Sequence, residues 1–324
     1  MAASELSRPP RFTVIVPTHG RRDLAVRLVR ALEDQEFGDF EAIVVVDGTD
    51  DGTAAALRSL ETRFPLTVLE QPHRGVAAAR NLGAAAAVGE LLLFLDDDMA
   101  PHPALLAEHD RSHREGAQVV IGHLPLDPAS PRTAVAAAVG RWAERRRARL
   151  ATTPKDVPVH DLLTGQLSVP REAFERLEGF DLVFTRGGLV PGADRDFGYR
   201  ARRAGLRIVF NPAAISYQHY EVDAADYIRR ARNGARGDCI LATRYPEIAG
   251  ELWQPRFETI YAKLTLGTLA AVPRPLSLPV RSLAIWLFSR PKPGRWSSRL
   301  FFAVQTMERL RGTREARRST HGAS

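Results

Sequence analysis

Three consecutive aspartates, Asp96, Asp97 and Asp98, directly follow the apolar run Leu91–Leu95 in the segment ELLLFLDDDM. Three carboxylates at the end of a buried strand are costly, because they repel one another and lose water. Residues i and i+2 of a strand project to the same side, so we expect Asp96 and Asp98 to converge while Asp97 points elsewhere. Two converging carboxylates suit Mg²⁺ or Mn²⁺, which usually keep positions open for water and substrate phosphates. The spacing therefore predicts a metal site that also binds a phosphate leaving group.

Two other polar clusters follow predicted strands nearer the N-terminus. The first strand, FTVIVP over residues 12–17, leads into Thr18 and His19, and the second, EAIVVV over 41–46, leads into Asp47. Ligands of parallel α/β sheets lie beyond the carboxyl ends of the strands, so these residues and the three aspartates are expected to share one crevice. The segment VVVDGTDDGT is also rich in ordinary turn formers, and alone it does not distinguish a site from a turn.

The elements that would position these residues alternate between strands and helices. Short apolar runs predict the strands, and leucines at i, i+4 and i+8 predict the first helix. Such alternation predicts βαβ units around a mostly parallel sheet with both faces covered. The further predicted strands are 66–70, 90–95, 118–124, one after residue 164 and one or two within 206–220, and the helices are 21–35, 52–64, 75–89, 103–116, 133–150, 171–177, 192–205 and 223–244.

The composition is that of a globular protein. The chain has 324 residues, of which 44% are hydrophobic and 26% are charged, and this suits one large α/β domain with an appendage. Its single cysteine, Cys239, excludes an intramolecular disulfide. The N-terminal segment MAASELSRPPR has no apolar signal region. We therefore expect a cytoplasmic protein.

The net charge of +7 is unevenly distributed. From Trp253 onward, thirteen Lys and Arg stand against three Glu, a balance of +10 that leaves −3 for residues 1–252. A basic segment is typical of proteins that bind nucleic acid, an anionic membrane surface or an acidic substrate. This one has no RNA-binding signature and only scattered aromatic residues, so nucleic acid is not an expected partner.

The basic C-terminal extension also contains apolar segments. Prolines and arginines interrupt residues 264–289 too centrally for a membrane-spanning helix. Short apolar pieces edged by arginine favour an interfacial position at the inner face of a membrane, whereas packing on the catalytic domain or a homodimer contact would explain them equally well. A helical apolar stripe follows at Leu300, Phe301, Val304, Met307 and Leu310.

Five segments occur in the order seen in family 2 glycosyltransferases, which the chain resembles over residues 12–245. The segments are VIVPTHGR, VVVDGTDDGT, GVAAARNLGAAAAVGELLLFLDDDM, TGQLSVPREAFERLEGFD and GADRDFGYRARRAG. The resemblance implies a GT-A fold, a nucleotide-sugar donor that we expect to be a UDP-sugar, Mn²⁺ or Mg²⁺, and inversion at the anomeric carbon. It implies a catalytic domain over 1–252, with a donor half at about 12–100 and an acceptor half at about 101–245, followed by an extension over 253–324.

The resemblance also assigns roles at the donor. Pro17, Thr18 and Asp47 would hold the nucleoside, with Asp47 accepting a hydrogen bond from the base. Arg80 and Asn81, in AARNLG, would lie under the donor near the ribose and phosphates.

Further roles concern the metal and the acceptor side. Asp96 would face the ribose or a metal-bound water, and Asp98 would ligate the metal. His219, in ISYQHY, would add a metal or diphosphate contact, although a lone histidine after a strand is commonly structural; the same alternative holds for His19. Gly165, in LLTGQLSV, would let the acceptor pass close to the backbone.

The segment that should carry the general base departs from the family pattern. Where family members often have Glu-Asp, this sequence has Ala193 followed by Asp194. Asp194 is implied to take the acceptor's proton as the anomeric carbon is attacked, and one carboxylate suffices for inversion in a single displacement. Asp196 is the alternative base on the acceptor side. Both aspartates would also suit a helix N-terminus for purely structural reasons.

Other functions lack their expected motifs. The first strand ends in PTHGRRD rather than in the glycine pattern of a dehydrogenase, and a P-loop is absent. A non-catalytic nucleotide-sugar-binding module is supported only by Ala193. The processive-synthase signature is absent too, which favours transfer of a single sugar to a saccharide, as in polysaccharide biosynthesis, to a lipid-linked acceptor or to a small natural product.

Overall fold

The computed structural model of the chain describes residues 8–153, 157–185, 191–252, 274–290 and 294–321. Eight strands form one sheet in the order β3-β2-β1-β4-β7-β6-β8-β5. The strands are β1 (Phe12–Thr18), β2 (Phe40–Asp47), β3 (Leu66–Gln71), β4 (Leu91–Leu95), β5 (Met99–Pro101), β6 (Val119–His123), β7 (Gln166–Pro170) and β8 (Ile208–Gln218).

The helices surround this sheet and continue beyond it towards the C-terminus. They are α1 (Arg22–Leu32), α2 (Thr53–Arg58), α3 (Val76–Ala86), α4 (Leu105–Arg114), α5 (Ala134–Thr152), α6 (Arg171–Arg176), α7 (Ala193–Arg203), α8 (Ala224–Arg244), α9 (Ala249–Leu252), α10 (Arg274–Phe288) and α11 (Arg295–His321). The predicted helix over 52–64 is shorter than expected, since α2 ends at Arg58.

The first four strands of the chain form a parallel unit. β1 pairs with β2 and β4, and β2 pairs with β3. Successive side chains of a strand alternate between faces, so Ile15 packs with the alanines of α3 whereas Val14 packs with the leucines of α1. This arrangement confirms the predicted βαβ units and brings the carboxyl ends of β1, β2 and β4 to one edge of the sheet.

Helix α3 lies unusually close to the sheet, which explains its alanine-rich sequence. A Cβ atom at Gly83 would lie only 2.5 Å from Cγ2 of Ile15 and 3.3 Å from Cγ2 of Val45. Small residues on this face therefore let the helix approach the strands. The close approach carries Arg80, on the same helix, to the end of β4.

The second half of the sheet mixes strand directions. β7 is antiparallel to β4 and β6, β6 is parallel to β8, and β5 is antiparallel to β8. The sequence did not predict β5, which is only three residues long and follows the aspartates directly. This short strand joins the end of β8 to the end of β4.

The C-terminal helices pack on the rest of the protein. Phe301, Val304 and Met307 of α11 are buried with Ile228 of α8, and Phe301 stacks on Phe288 at 3.9 Å between ring centroids. That apolar stripe is therefore not available to a membrane surface, and the packing alternative is right for α11. No helix in the described part of the chain is both long and apolar enough to cross a bilayer. The predicted apolar segment 264–273 lies outside the described residues.

Candidate active site

The three aspartates after β4 have different surroundings. Asp97 is turned toward β1, where its carboxylate accepts hydrogen bonds from Thr18 Oγ1 and Arg21 Nη1, each at 2.9 Å. Burial raises the pKa of Asp97, while Arg21 and Thr18 partly offset that effect. The hydroxyl of Thr18, a residue predicted to hold the nucleoside, therefore donates its hydrogen bond to Asp97. Pro17, which has the same predicted role, is buried within β1.

Asp98 is the least satisfied of the three. Its side chain is 14% exposed, and its Oδ2 atom lies 3.5 Å from Gln218 Nε2 and 3.7 Å from Arg21 Nη1. Its Oδ1 atom has no hydrogen-bond partner among the described residues. Burial, followed by the charges of Asp96 and Asp97, raises the pKa of Asp98 to about 7, although Arg21 opposes this. A cation beside Asp98 would relieve these costs, so the residue fits the metal-ligand role predicted for it.

The ladder between β5 and β8 brings His219 to Asp98. The His219 backbone N–H donates to the carbonyl oxygen of Asp98 at 2.8 Å. Its ring is mostly buried, with Nδ1 lacking a hydrogen-bond partner in the described ranges and lying 3.9 Å from Asp127. The structure thus places His219 beside the aspartates, as its predicted role requires, and the metal contact itself stays a prediction.

Arg80 balances the charge of Asp96. Its Nη2 atom lies 2.5 Å from Asp96 Oδ1, and its guanidinium packs over the Phe180 ring at 5.5 Å. The neighbouring Asn81 uses its amide differently: its nitrogen donates to the Phe180 carbonyl at 2.8 Å, and its oxygen accepts from the Phe180 N–H at 2.9 Å. Asn81 therefore holds the loop that supports Arg80.

Gly165 covers the other side of Asp96. Its carbonyl oxygen accepts the Asp96 N–H at 3.2 Å, and a Cβ atom at Gly165 would lie 3.4 Å from Asp96 Oδ2 and 3.1 Å from Met99 Cε. The glycine is thus tightly packed on the aspartate. Its other expected role, which is to let the acceptor pass close to the backbone, stays a prediction.

Asp47 ends β2 at the same edge of the sheet. Its carboxylate accepts hydrogen bonds from Gln71 Nε2 at 2.7 Å and from the backbone amides of Arg74 and Gly75, each at 2.8 Å. Burial alone would raise the pKa of Asp47, but these donors and His73 lower it below the usual value. His73 Nδ1 also lies 3.0 Å from Oδ2, so both carboxylate oxygens are closely surrounded by donors. A nucleobase would have to replace one of these partners.

Two histidines flank Asp47, and the sequence analysis missed one of them. His19 Nδ1 lies 2.6 Å and His73 Nδ1 3.2 Å from the Asp47 carbonyl oxygen, and the two rings are 4.3 Å apart. These three residues could bring three ligand atoms within 4.8 Å of one another. Within the described residues, the predicted metal ligands do not form such a three-residue group, because Asp96 is turned toward Arg80. His73 follows a strand without any motif, so no sequence signal identified it.

The two aspartates of α7 differ sharply. Asp196 is fully buried; its carboxylate accepts hydrogen bonds from Arg200 Nε at 2.7 Å and the Tyr245 hydroxyl at 3.0 Å. An acceptor cannot reach this carboxylate in the present structure, so its burial favours a structural role, and the acceptor-side role of Asp196 stays a prediction. Asp194 is 23% exposed, and among the described residues its carboxylate accepts only the N–H of its neighbour, Arg195, at 2.9 Å. Ala193 is buried in the core, which explains an apolar residue at that position.

The family profile described as "Glycosyl transferase family 2" matches residues 13–177, which include the carboxyl edge of β1, β2 and β4. The chain belongs to glycosyltransferase family 2. The resemblance that the five segments indicated is thereby confirmed.

Relatives of this family 2 glycosyltransferase act on different molecules. Validoxylamine A glucosyltransferase of Streptomyces hygroscopicus subsp. jinggangensis is 30% identical over 247 residues, which are 67% of this chain and 56% of that protein. Pre-mycofactocin glycosyltransferase of Mycobacterium tuberculosis is 26% identical over 264 residues, which are 74% of this chain and 50% of that protein. The chain thus spans about half the length of these curated relatives.

Solved structures confirm the fold of the glycosyltransferase. The mannosyltransferase PcManGT from Pyrobaculum calidifontis, in complex with GDP-Man and Mn²⁺, aligns with a TM-score of 0.58 at 20% identity over 93% of this chain and 88% of that one. Residues 1–349 of Staphylococcus aureus TarS with UDP-GlcNAc align with a TM-score of 0.55 at 16% identity, covering 97% and 92%. The predicted GT-A-type α/β sheet with a helical C-terminal region is therefore correct.

Proposed function

We propose that this glycosyltransferase moves a single hexose, with inversion, from a nucleotide-diphosphate sugar to an acceptor hydroxyl. The observation that carries the proposal is the unsatisfied Asp98 carboxylate at the carboxyl edge, between the Arg80–Asp96 pair and the end of β8. A buried carboxylate that is only partly compensated, here by Arg21 at 3.7 Å, is costly unless a ligand compensates for it further. The divalent cation that accompanies a nucleotide sugar would supply the positive charge that this carboxylate needs, and the cation would in turn bind the diphosphate.

Asp98, assisted by Asp96, would hold Mn²⁺ or Mg²⁺. These ions are commonly bound by one or two carboxylates plus substrate phosphates, so a complete cage of protein ligands is not needed. When bound, the ion supplies positive charge that stabilises the leaving nucleoside diphosphate. The Mn²⁺ in the PcManGT complex supports this assignment.

The chain's own residues would orient the donor and move the proton. Asp47 binds the nucleoside after releasing a partner such as His73, and Arg80 keeps Asp96 fixed at the crevice floor. Asp194 accepts the proton of the acceptor hydroxyl as its oxygen bonds to the anomeric carbon and the bond to the diphosphate oxygen breaks. One displacement inverts the configuration at that carbon.

The relatives supply the first donors and acceptors to test. A glucosyltransferase acting on validoxylamine A supports glucose as the sugar and a small natural product as the acceptor, and the UDP-GlcNAc bound to TarS supports a UDP-linked donor. A lipid-linked acceptor is favoured by the Campylobacter jejuni relative "GalNAc(5)-diNAcBac-PP-undecaprenol beta-1,3-glucosyltransferase", 30% identical over 121 residues. UDP-glucose with validoxylamine A is therefore the first pair to assay, and an undecaprenyl-diphosphate saccharide is the second acceptor.

An exposed apolar surface on α10 and at the start of α11 is evidence for attachment of the extension to the inner face of a membrane. Helix α10 exposes Leu278, Leu283 and Trp286, and Trp296 at the start of α11 is 65% exposed. Tryptophan favours the membrane interface, and nearby arginines such as Arg290, which stacks on Trp286, would attract anionic lipid. Sedimentation with anionic vesicles should decrease for Trp286→Ala combined with Trp296→Ala, and unchanged sedimentation would contradict the proposal.

Nucleotide release tests the proposed reaction directly. UDP-glucose, GDP-mannose and UDP-GlcNAc should be offered with Mn²⁺, with and without acceptor, and release should stop on chelation. A non-catalytic module would bind a nucleotide sugar in calorimetry without any release. Full release in the presence of a chelator would contradict the metal assignment while leaving the transferase reaction intact.

A further inference from the structure

A buried ion-pair network links the C-terminal helix to the helix that carries Asp194. Asp238 of α8 is 4% exposed, and its two carboxylate oxygens bind different arginines. Oδ1 pairs with Arg195 Nη1 in the first turn of α7, and Oδ2 accepts a hydrogen bond from Arg309 Nη2 of α11 at 2.7 Å. Three helices that are distant in sequence therefore meet at one carboxylate.

This network determines where the Arg195 guanidinium lies. Its terminal nitrogen is bound to Asp238, while its Nε atom stays 3.9 Å from Asp194 Oδ1, beyond hydrogen-bond distance. Arg195 is adjacent to Asp194, and this contact of 3.9 Å is already within ion-pair distance. Without Asp238, its nearest described carboxylate partner would be Asp194. A direct guanidinium–carboxylate pair would stabilise the ionised carboxylate and weaken it as a proton acceptor.

We propose that Asp238 is a positioning residue that keeps Arg195 from forming a direct hydrogen-bonded pair with the catalytic carboxylate of Asp194, and that Arg309 fixes Asp238 in place. The inference rests on the proposed role of Asp194 as general base. It makes α11, from the C-terminal extension, part of the support of the active site.

A second ion pair between α8 and α11 provides a matched control. Arg232 of α8 binds Glu315 of α11 through two nitrogen–oxygen contacts, and within the described part of the chain neither residue bonds to Asp238 or Arg195. Glu315→Gln therefore weakens the same helix pair without releasing Arg195. If the network merely holds α11 in place, Glu315→Gln and Asp238→Asn should have similar effects.

The test measures nucleotide release from UDP-glucose with Mn²⁺ in the presence of validoxylamine A as acceptor, together with thermal unfolding of each variant. Asp238→Asn should lower kcat roughly tenfold, within the coupling range of residues in one salt-bridge network, with the KM for UDP-glucose unchanged. Adding Arg195→Gln to Asp238→Asn should restore most of that kcat, because the arginine that would pair with Asp194 is gone. Arg309→Met should lower kcat about threefold by the same route, and Arg309→Lys should recover it.

Each outcome assigns the failure to one proposal. If the Asp238→Asn, Arg195→Gln double variant is as slow as Asp238→Asn, or slower, Asp238 has only a structural role and the inference is wrong. Normal release by Asp238→Asn alongside an inactive Asp194→Asn would also overturn it, while the proposed function stands. If Asp194→Asn is fully active, or the wild-type protein releases no nucleotide from any donor, the proposed function fails and the inference fails with it.

Discussion

The carboxyl edge of the donor half and the junction between α7 and α8 both bury an aspartate, but they treat its charge in opposite ways. At the edge, Asp98 has an oxygen without a hydrogen-bond partner among the described residues. At the junction, Asp196 binds Arg200 and Tyr245 and lies 3.4 Å from Arg244. Natural proteins rarely leave buried polar atoms unsatisfied without a functional reason. The difference supports the proposed metal-ligand role of Asp98 and a structural role for Asp196.

Replacing Asp98 should produce the largest change of activity. Asp98→Ala removes the proposed metal ligand, so we expect nucleotide release to become undetectable. Its thermal stability without metal should be unchanged or higher, because an uncompensated buried charge has been removed. Mn²⁺ should raise the unfolding temperature of the wild-type protein but not that of the variant. A strongly destabilised Asp98→Ala protein would show that Asp98 is structural, and the proposed difference between Asp98 and Asp196 would then be wrong.

Replacing Asp194 should leave binding intact and slow the chemical step. Asp194→Asn keeps the shape of the side chain but cannot accept the proton, so release should fall by roughly 10² to 10⁴, as is typical of general-base removal. Calorimetry should give wild-type affinity for UDP with Mn²⁺. If the variant instead loses UDP affinity, Asp194 belongs to the donor site and another residue is the base.

Replacing Asp196 should affect stability rather than chemistry. Asp196→Ala leaves buried partners of the carboxylate uncompensated, and breaking such an ion pair costs about 3–5 kcal/mol of unfolding free energy. Chemical denaturation measures this loss. The matched control is Asp23→Ala, whose exposed pair with Arg22 should change stability by no more than about 1 kcal/mol. Equal effects of the two substitutions would refute the structural role of Asp196.

A third buried polar cluster, made of neutral histidines, should affect stability in a way that depends on pH, with a smaller effect for each pH unit. His109 Nδ1 and His113 Nε2 both contact Ser168 Oγ at 2.7 Å, beneath β7. Burial lowers the pKa of His109 to about 3 and that of His113 to about 4. Because both values lie below the ordinary 6.5, the unfolded chain binds protons first as the pH falls. Stability is therefore complete above pH 6.5 and is lost below it, by about 1.4 kcal/mol per pH unit for each histidine.

Denaturation curves between pH 7 and pH 4 would test this prediction. His113→Gln should flatten the acid-induced loss of stability relative to the wild-type protein, even if it lowers stability at pH 7. An unchanged slope would show that His113 does not stay neutral in the folded state.

The sequence predicted the parts of the molecule that depend on local patterns. Apolar runs identified the parallel strands, and the alternation of side chains predicted that Asp97 and Asp98 would have different surroundings. It could not reveal partners brought together by tertiary packing. From the sequence alone, Asp196 is a candidate base, and only the tertiary structure shows that Tyr245 and Arg200 bind its carboxylate. His73 has no motif of its own.

The C-terminal extension shows the same limit. Phe301, Val304 and Met307 form an apolar stripe that suits a membrane surface or a protein partner equally well. Hydrophobic periodicity indicates which residues are buried, but it does not indicate which surface covers them. Only the packing on α8 distinguished these alternatives. The Asp238 network was similarly hidden, because its three residues are separated by more than forty positions at each step.

The position of β7 also has a consequence for how the protein is made. Strand β4 is complete at residue 95, but its antiparallel neighbour in the finished sheet is formed by Gln166–Pro170. During synthesis on the ribosome, the parallel donor half can therefore assemble while one edge of β4 remains unpaired. An open apolar edge strand is prone to pair with other chains. We expect nascent chains that stop before residue 166 to aggregate or to require a chaperone, and chains that include β7 to escape this hazard.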